Sequence, residues 1–512
     1  MAKNEAPTIG VKLFVDKERR KVLFAESDKE FVDVLFGFLT MPLGTVVRLL
    51  DKQSQMGCLD EVYKSVEDLS ADYFQTKACK GMLLKPLNAA SSHCCRLKVN
   101  VDGTVPRVIY VCKDTSCSFH SDNAFSSFPD TVCKCGKVME SFGQCPKYDG
   151  DSETVPACSE DGVFVKGCLK FIVTDDLQVA PASTSLMMSL FEKFGVRDPA
   201  VLEQQVLQLS SEKITSLLKR SLTSKQPLTE HYFDVLVSHD DASLDTLAGN
   251  LYPKQEDDGE ESLGNLKIMV LQMKDNSALL YAEVDGDFVD CLFGLLSIPL
   301  GSAIKSFGQC STKGCLDNLY RSIDGSAKEF IRQDCQSLLL APVLAPFFGC
   351  GASRILQVDE LAPRELSINA CFACFKIGGF SDFVRCHGST YNHTYRRYDP
   401  SCPNKVKSVK LCEASPKQQN GGSEKGEAYV NGEQTKFVVT DDLHILPLSL
   451  ASTVQIVSEA KIQTSNLVEK EITLTKSQTI HLRGTGTWNT GYGATKGCAA
   501  ESQHTQLRAS AS

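Results

Sequence analysis

The chain has 512 residues, enough for two or more domains of ordinary size. Hydrophobic residues make up 42% of it and charged residues 23%, which is typical of globular proteins. A net charge of −9 and a pI near 5.6 exclude a general attraction for phosphate groups, so contact with nucleic acid would need a local basic patch.

Two features bear on location. Residues Met1–Pro7 lack the apolar stretch of a secretory signal. The most apolar run, Ser337–Ser353, is too short to cross a bilayer and contains Pro342 and Pro346. We expect a soluble protein of the cytoplasm, with the nucleus as the alternative, and no membrane contact.

The 22 cysteines are numerous for such a chain. In a reducing compartment they are more often thiols or metal ligands than disulfides. Cys58, Cys79, Cys291 and Cys335 each occur singly within apolar patterns, which predicts buried core positions.

The first predicted elements are the strands Val11–Asp16 and Lys21–Glu26, which flank a charged turn and suggest a β-hairpin. Ser27–Glu30 then has the pattern of a capping box, which predicts a helix that runs to about Leu39. Further helices are predicted over Thr45–Leu50 and Leu59–Leu69.

The middle of the chain is richer in β-branched residues, and strands are predicted over Arg96–Val101 and Arg107–Cys112. Asp198–Pro199 resembles a helix start, and apolar residues at helical spacing extend that predicted helix to Leu209. Another helix is predicted over Ser211–Leu222. Strand and helix blocks without regular βαβ alternation favour an α+β fold.

Long-period self-similarity is the main organising feature. Phe31–Thr45 (FVDVLFGFLTMPLGT) recurs as Phe288–Ser302 (FVDCLFGLLSIPLGS), and Phe171–Leu177 (FIVTDDL) recurs as Phe437–Leu443 (FVVTDDL). Matches in the same order over such a span predict two homologous tandem domains.

We place a first copy at residues 9–248 and a second, partly degenerate copy at 265–474. The acidic segment 249–264 between them is predicted to be a solvated linker. Residues 475–512 are rich in Gly, Ser, Thr, Ala and Gln and are predicted to form a disordered tail. The helices that end the first copy are predicted to be lost or degraded in the second.

Two closely spaced cysteine pairs in the first copy resemble a zinc ribbon, with the spacings C-x4-C and C-x-C. Four such thiols can form a closed tetrahedral site, which predicts structural rather than catalytic zinc. The C-x-C spacing departs from the usual C-x2-C, and Cys145 could replace one ligand; unligated thiols are the alternative. The predicted ligands are Cys112, Cys117, Cys133 and Cys135.

The second copy does not reproduce this set. Cys386 and Cys402 align with Cys112 and Cys133, but Asn404 stands where Cys135 would be. A degenerate, metal-free loop is therefore favoured. The replacement ligands that the sequence offers are Cys371, Cys374, His387, His393 and Cys412.

Carboxylates follow the repeated strands as the pairs Asp175–Asp176 and Asp441–Asp442. Such pairs could hold magnesium or act as acid and base, but turns in which aspartates bind backbone N–H groups are the favoured interpretation. Asp33 and Asp290 lie within apolar helices and are predicted to have hydrogen-bonded structural roles.

One loop, Tyr391–Tyr398, mixes basic and aromatic residues as single-strand nucleic-acid binders do, although a solvated surface loop is favoured in so acidic a chain. No phosphate-binding glycine loop, nucleophile elbow or HExxH helix occurs. This pattern argues against an enzyme.

Three segments carry a family resemblance: the stretch from Leu13 to Leu50, Gly57–Leu69 and Phe171–Ser183. They resemble the plant-restricted family catalogued as domain of unknown function 674, over nearly all of the first copy and most of the second. The resemblance implies plant origin, a tandem arrangement and cysteine pairs in the middle of the domain. It implies no activity, substrate or catalytic residue.

The leading hypothesis is a non-enzymatic binding or scaffold protein with a structural zinc site and a protein partner, which two tethered domains would engage bivalently. The alternatives are a metal-dependent enzyme that uses Asp175 and Asp176, and a nucleic-acid binder that uses the cysteine ribbon and Arg396–Arg397.

Overall fold

The structure is a computed structural model, and it describes most of both copies. The described residues are 6–102, 108–112, 124–144, 161–167, 169–234, 266–275, 278–307, 314–371, 376–377, 406–418, 428–431 and 435–474. The predicted linker and tail, residues 249–264 and 475–512, lie outside them.

The first copy begins with a strand pair, continues with helices and returns to strands. Its elements are β1 (Ile9–Asp16), β2 (Lys21–Ser27), α1 (Lys29–Gly37), α2 (Leu43–Leu49), α3 (Leu59–Asp68), α4 (Lys77–Leu84), α5 (Ser91–Cys94), β3 (Val108–Val111), β4 (Ala124–Ser126), β5 (Glu140–Gln144), β6 (Phe171–Thr174), β7 (Val179–Pro181), α6 (Thr184–Phe194), β8 (Leu202–Leu209), α7 (Ser211–Thr223) and α8 (Pro227–Phe233).

The second copy follows the same order through its Thr-Asp-Asp strand and beyond. Its elements are β9 (Leu266–Met273), β10 (Leu279–Val284), α9 (Gly286–Gly294), α10 (Leu300–Phe307), α11 (Leu316–Asp324), α12 (Gln333–Leu340), α13 (Gly351–Ile355), β11 (Glu365–Cys371), β12 (Lys376–Ile377), β13 (Val406–Glu413), β14 (Phe437–Thr440), β15 (Ile445–Pro447), α14 (Leu450–Glu459) and β16 (Leu467–Leu474).

Each copy builds a five-stranded antiparallel sheet, in the order β7-β6-β2-β1-β8 in the first and β15-β14-β10-β9-β16 in the second. Every second residue of β1 from Ile9 to Val15 is buried, as expected for a strand with one face on the core. The mixed α+β class and the amino-terminal hairpin predicted from the sequence are therefore confirmed.

Three local predictions are wrong. Ser27 remains in β2, where it pairs with Phe171, so Asp28 is the N-cap of α1 and no capping box forms. Residues 96–101 contain no strand. Asp198 does cap a short 3-10 turn, but Leu202–Leu209 is strand β8, paired with β1 along its length. Tertiary pairing outweighs the local helical spacing here.

The repeated Pro-Leu-Gly segments meet each other at the centre of the molecule. Pro42 and Pro299 form an antiparallel bridge. The Leu43 N–H donates to the Ile298 carbonyl at 2.9 Å, and the Leu300 N–H donates to the Met41 carbonyl at 2.8 Å. These reciprocal bonds define a pseudo-two-fold axis between the copies.

Further contacts are exchanged in equivalent pairs around this axis. The Gln75 N–H donates to the Tyr429 carbonyl at 2.8 Å, and the Arg332 N–H donates to the Phe164 carbonyl at 2.9 Å. On the other side, Ser65 on α3 accepts a hydrogen bond from the backbone of β15. Its counterpart Ser322 on α11 accepts one from β7, the bonds being 2.8 and 2.9 Å. Helices of each copy thus pack on the sheet of the other.

A single apolar core follows from this exchange. Phe31 and Phe288 both belong to one continuous cluster of buried side chains that contains residues of both copies. Phe74 stacks on Phe293 across the boundary, with ring centroids 6.1 Å apart. The repeated sequence segments form equivalent elements in both copies, but a layout of two separate tandem domains is not confirmed.

A third, six-stranded sheet also joins the copies, in the order β12-β11-β13-β4-β3-β5. Its central pair is parallel, with Cys412 and Glu413 of β13 opposite Ala124 and Phe125 of β4. This sheet places the cysteine-rich turns of the first copy beside the second copy.

Candidate metal centre

The turn between β4 and β5 holds two of the predicted zinc ligands. The Cys133 N–H donates to the Lys137 carbonyl, and the Gly136 N–H donates to the Cys133 carbonyl, both at 2.8 Å. Gly136 has a φ of 82°, a conformation that glycine adopts without strain. The turn therefore holds Cys133 and Cys135 close together, as the sequence Cys-x-Cys-Gly predicts.

The third thiol comes from the end of β3. The sulfurs of Cys112, Cys133 and Cys135 all lie within 4.8 Å of one another, and the Sγ atoms of Cys112 and Cys135 are 3.5 Å apart. Sulfurs that share one tetrahedral zinc ion at Zn–S of about 2.3 Å are separated by about 3.8 Å. The spacing fits a shared metal ion.

The surroundings also suit a structural metal ion. Cys112 and Cys133 are buried and pack with Met139, whereas Cys135 is exposed. Ala414 of the second copy packs against the same group, and its N–H donates to the Phe125 carbonyl at 2.8 Å. A metal ion at this position would stabilise the six-stranded sheet that joins the two copies.

Most of the other candidate ligands fall outside the part of the chain that the structure describes. Cys117 and Cys145 lie outside the described residues, as do Cys374, Cys386, His387, His393, Cys402 and Asn404 of the second copy. Cys371 ends β11, and Cys412 is exposed on β13. The structure thus brings together three of the four predicted thiols in the first copy.

The carboxylates of the first Thr-Asp-Asp turn have structural partners. Asp175 accepts hydrogen bonds from the Thr229 N–H at 2.9 Å and the Thr229 hydroxyl at 2.6 Å, at the start of α8. Asp176 accepts from the Thr174 hydroxyl and the Gln178 amide. The two carboxylates therefore have structural roles, but not as an Asx-type turn, because Asp175 binds the distant Thr229 and Asp176 binds only side chains.

Burial changes the acidity of this site. Burial raises the pKa of Asp175 to about 6, against the opposing hydrogen bonds from Thr229. In the second copy, the exposed Asp441 also has a raised pKa, because of partial desolvation and the charge of Asp442. The Thr440 hydroxyl donates to Asp442 at 2.5 Å, so this turn has the same local form as the first.

The buried helix aspartates have the predicted hydrogen-bonded roles. Asp33 accepts the N–H groups of residues 163–165 at 2.6, 2.8 and 3.1 Å, and burial raises its pKa to about 6. Asp290 accepts those of Tyr429 and Val430 at 2.5 and 3.3 Å. Each aspartate thus binds the backbone of a later segment of its own copy to the helix on which the aspartate lies.

A second cluster was not predicted. His93, Asp334 and Cys335 have potential ligand atoms within 4.8 Å of one another, and they come from different copies. Asp334 is held by two bonds from Arg332, at 3.1 and 2.7 Å. Burial raises the pKa of the Cys335 thiol to about 12, so this cluster suits structure better than metal binding or nucleophilic chemistry. Only the pseudo-symmetric packing brings these residues together.

The basic-aromatic loop Tyr391–Tyr398, including Arg396 and Arg397, lies outside the described residues. Among the helices that the structure does describe, none combines the length and apolarity needed to cross a membrane.

Comparison with known proteins gives one match. A family model with the description "Protein of unknown function (DUF674)" matches residues 5–477. No curated protein and no solved structure matches the chain.

Proposed function

This chain belongs to the DUF674 family of proteins of unknown function, and we propose that it acts as a non-enzymatic scaffold that binds a protein partner. In this proposal it works in the cytoplasm or the nucleus. A structural zinc ion stabilises it through Cys112, Cys117, Cys133 and Cys135.

The gathering of three thiols within 4.8 Å carries the zinc part of the proposal. Cys112 and Cys133 are buried, and the exposed Cys135 lies in the hydrogen-bonded turn that also contains Cys133. A fourth thiolate, from Cys117, would close the coordination sphere and leave no open position for a substrate. The zinc would then act on the fold and not on a reaction.

The non-enzymatic part is supported by the Asp175 and Asp176 contacts. A catalytic or magnesium-binding pair needs carboxylate oxygens directed at a ligand. These oxygens are instead directed at Thr229, Thr174 and Gln178. The shared core further supports one fixed binding surface instead of two tethered modules.

Metal analysis of the purified full-length chain tests the zinc site. We expect about one zinc per chain in the wild type, and less than half of that in Cys112→Ser and Cys135→Ser, because three remaining thiols bind zinc more weakly than four. Cys95→Ser is the matched control, since Cys95 is exposed and lies outside the cluster. Zinc-free wild-type protein, or equal zinc in all variants, would refute the site.

Partner binding is tested by affinity purification with tagged wild-type protein and the same cysteine variants. A protein that co-purifies with them is then purified itself, and its affinity for each variant is measured. We expect a protein that binds wild type and Cys95→Ser with equal affinity. Retention on single-stranded nucleic acid that falls steeply with salt would instead favour the nucleic-acid alternative.

A further inference from the structure

The outer faces of the two repeated sheets differ, although the elements that cover them correspond. A helix follows the Thr-Asp-Asp turn in each copy, α6 in the first and α14 in the second. Both helices begin at a serine N-cap, Ser183 or Ser449, whose side chain accepts a backbone N–H at 3.1 or 3.0 Å. The two faces can therefore be compared position by position.

In the first copy, aromatic side chains fill the space between helix and sheet. Phe14 and Phe24, opposite each other on β1 and β2, stack with ring centroids 4.7 Å apart. Phe191 of α6 packs on Phe24 at 6.1 Å, and Phe194 lies against the same cluster. Aromatic rings therefore occupy the space between α6 and the sheet.

In the second copy, smaller or more polar residues occupy the same positions. Leu271 and Tyr281 are the paired strand residues, and Val457 and Ala460 stand at the distances from Ser449 that Phe191 and Phe194 have from Ser183. A groove of about 950 Å³ remains here. The residues that give it most of its apolar lining are Leu271, Tyr281, Val454, Val457, Leu467 and Val468.

Tyr281 adds a specific polar group to this groove. Its side chain is 8% exposed, yet its hydroxyl has no hydrogen-bond partner among the described residues. The hydroxyl therefore remains available to donate to an acceptor on a ligand in the groove. The counterpart Phe24 has no such group. Burial and the charges of Glu283 and Glu469 raise the pKa of Tyr281, so the hydroxyl stays a donor.

Charge at the rim favours an anion. Lys274 and Lys461 both line the groove, against the single acid Glu469. The Lys274 ammonium donates to the Ser465 carbonyl at 2.6 Å, whereas Lys461 has no ion pair among the described residues. Small-molecule sites commonly combine a mainly apolar cavity of about 300–1,000 Å³ with a few polar groups that orient the ligand.

We propose that this groove binds a small, mainly apolar organic anion, whose acceptor group meets the Tyr281 hydroxyl and whose charge meets Lys461. The groove shares no residue with the cysteine cluster. In this proposal, only the second copy has the binding groove, so the two equivalent faces have different roles.

Fluorescence titration of the full-length chain with 1-anilinonaphthalene-8-sulfonate tests the site, because this dye joins apolar rings to one anionic group. We expect one saturable site. Val457→Phe and Ala460→Phe, which restore first-copy aromatics, should each weaken binding at least tenfold. Tyr281→Phe should weaken it severalfold. Leu450→Ser is the control, since Leu450 is 86% exposed on the same helix but does not line the groove.

A neutral dye of similar shape, N-phenyl-1-naphthylamine, separates the contribution of the ligand's negative charge from that of its apolar rings. Lys461→Gln should weaken binding of the anionic dye and leave that of the neutral dye unchanged. Wild-type dye affinity in both phenylalanine variants, with their folding verified by circular dichroism, would overturn the proposal. A chain that ends at Leu474 and binds the dye tenfold more tightly than the full chain would also overturn it, because the groove would then hold the chain's own carboxyl terminus.

Discussion

At the scale of single residues, buried carboxylates hold segments of the backbone in place. Asp33 and Asp290 each gather backbone N–H groups from a segment that returns beneath a helix. Asp175 does the same for the start of α8. The hydrogen bonds stabilise the ionised form and burial destabilises it, and burial is the larger effect on all three pKa values.

The raised pKa of Asp175 makes a pH-dependent prediction. Because the folded-state value of about 6 exceeds the ordinary 3.8, the folded protein binds a proton before the unfolded chain does as pH falls. This contribution to stability is present at low pH and is lost as pH rises through about 6. Between pH 7 and pH 5, wild type should gain about 1 kcal/mol relative to Asp175→Asn.

Urea unfolding of both proteins across this pH range measures the difference. Comparison with the variant cancels the titration of other groups, such as His231, whose pKa burial lowers to about 4. Parallel pH profiles for the two proteins would contradict the assignment.

At the scale of elements, the parallel pair β13–β4 is held by a buried ion pair. Arg364 binds both carboxylate oxygens of Glu413, at 2.9 and 3.1 Å, and also donates to the Ser127 hydroxyl of the first copy. Burial would raise the pKa of Glu413, but the bonds and charge of Arg364 outweigh it and hold that pKa below its ordinary value. The junction thus depends on a paired charge.

Glu413→Gln should therefore destabilise the protein by about 3–5 kcal/mol, because it leaves the Arg364 charge buried without its partner. Urea unfolding at neutral pH measures the change. The double variant Arg364→Met, Glu413→Leu should recover most of the loss, since replacement of a whole buried pair is often near neutral. A loss below about 1 kcal/mol in the single variant would show that the junction does not depend on this pair.

At the scale of the whole molecule, the two copies form one body. Exchanged hydrogen bonds, a common apolar core and a joint sheet connect them. The apolar surface buried in this common core stabilises the association of the copies whether or not a linker joins them. The copies should therefore stay together without a chain connection.

A protease site inserted between Asp258 and Gly259 tests this expectation. After cleavage of the folded protein, both fragments should elute together at the size of the intact chain, and they should separate only in denaturant, which also verifies the cut. Separate elution under native conditions would mean that the copies are independent domains.

Much of this could be predicted from the sequence, and the failures have physical causes. The Phe31 and Phe288 repeats predicted equivalent elements, and the cysteine spacing predicted a thiol cluster. Leu202–Leu209 was predicted as helix because its apolar residues fit that spacing, yet pairing with β1 makes it a strand. The His93–Asp334–Cys335 cluster and the Tyr281 groove depend on packing between distant segments, which local patterns do not encode.

The glycine of each Pro-Leu-Gly segment shows how closely the copies approach. A Cβ on Gly44 would lie 3.0 Å from the Leu296 carbonyl oxygen, and one on Gly301 would lie 3.0 Å from that of Leu39. Alanine would press on the opposite backbone by a few tenths of an ångström, so the close crossing favours glycine on both sides.

This crossing has a consequence for the origin of the chain. Because each segment meets its own duplicate, the surface is self-complementary, and a polypeptide with one copy would satisfy the Leu43 N–H and the Met41 carbonyl by meeting a second identical molecule. Fusion of two copies makes this pairing intramolecular and independent of protein concentration. Fusion also allows the sequence of one copy to change on its outer sheet face while the pairing between the copies is kept.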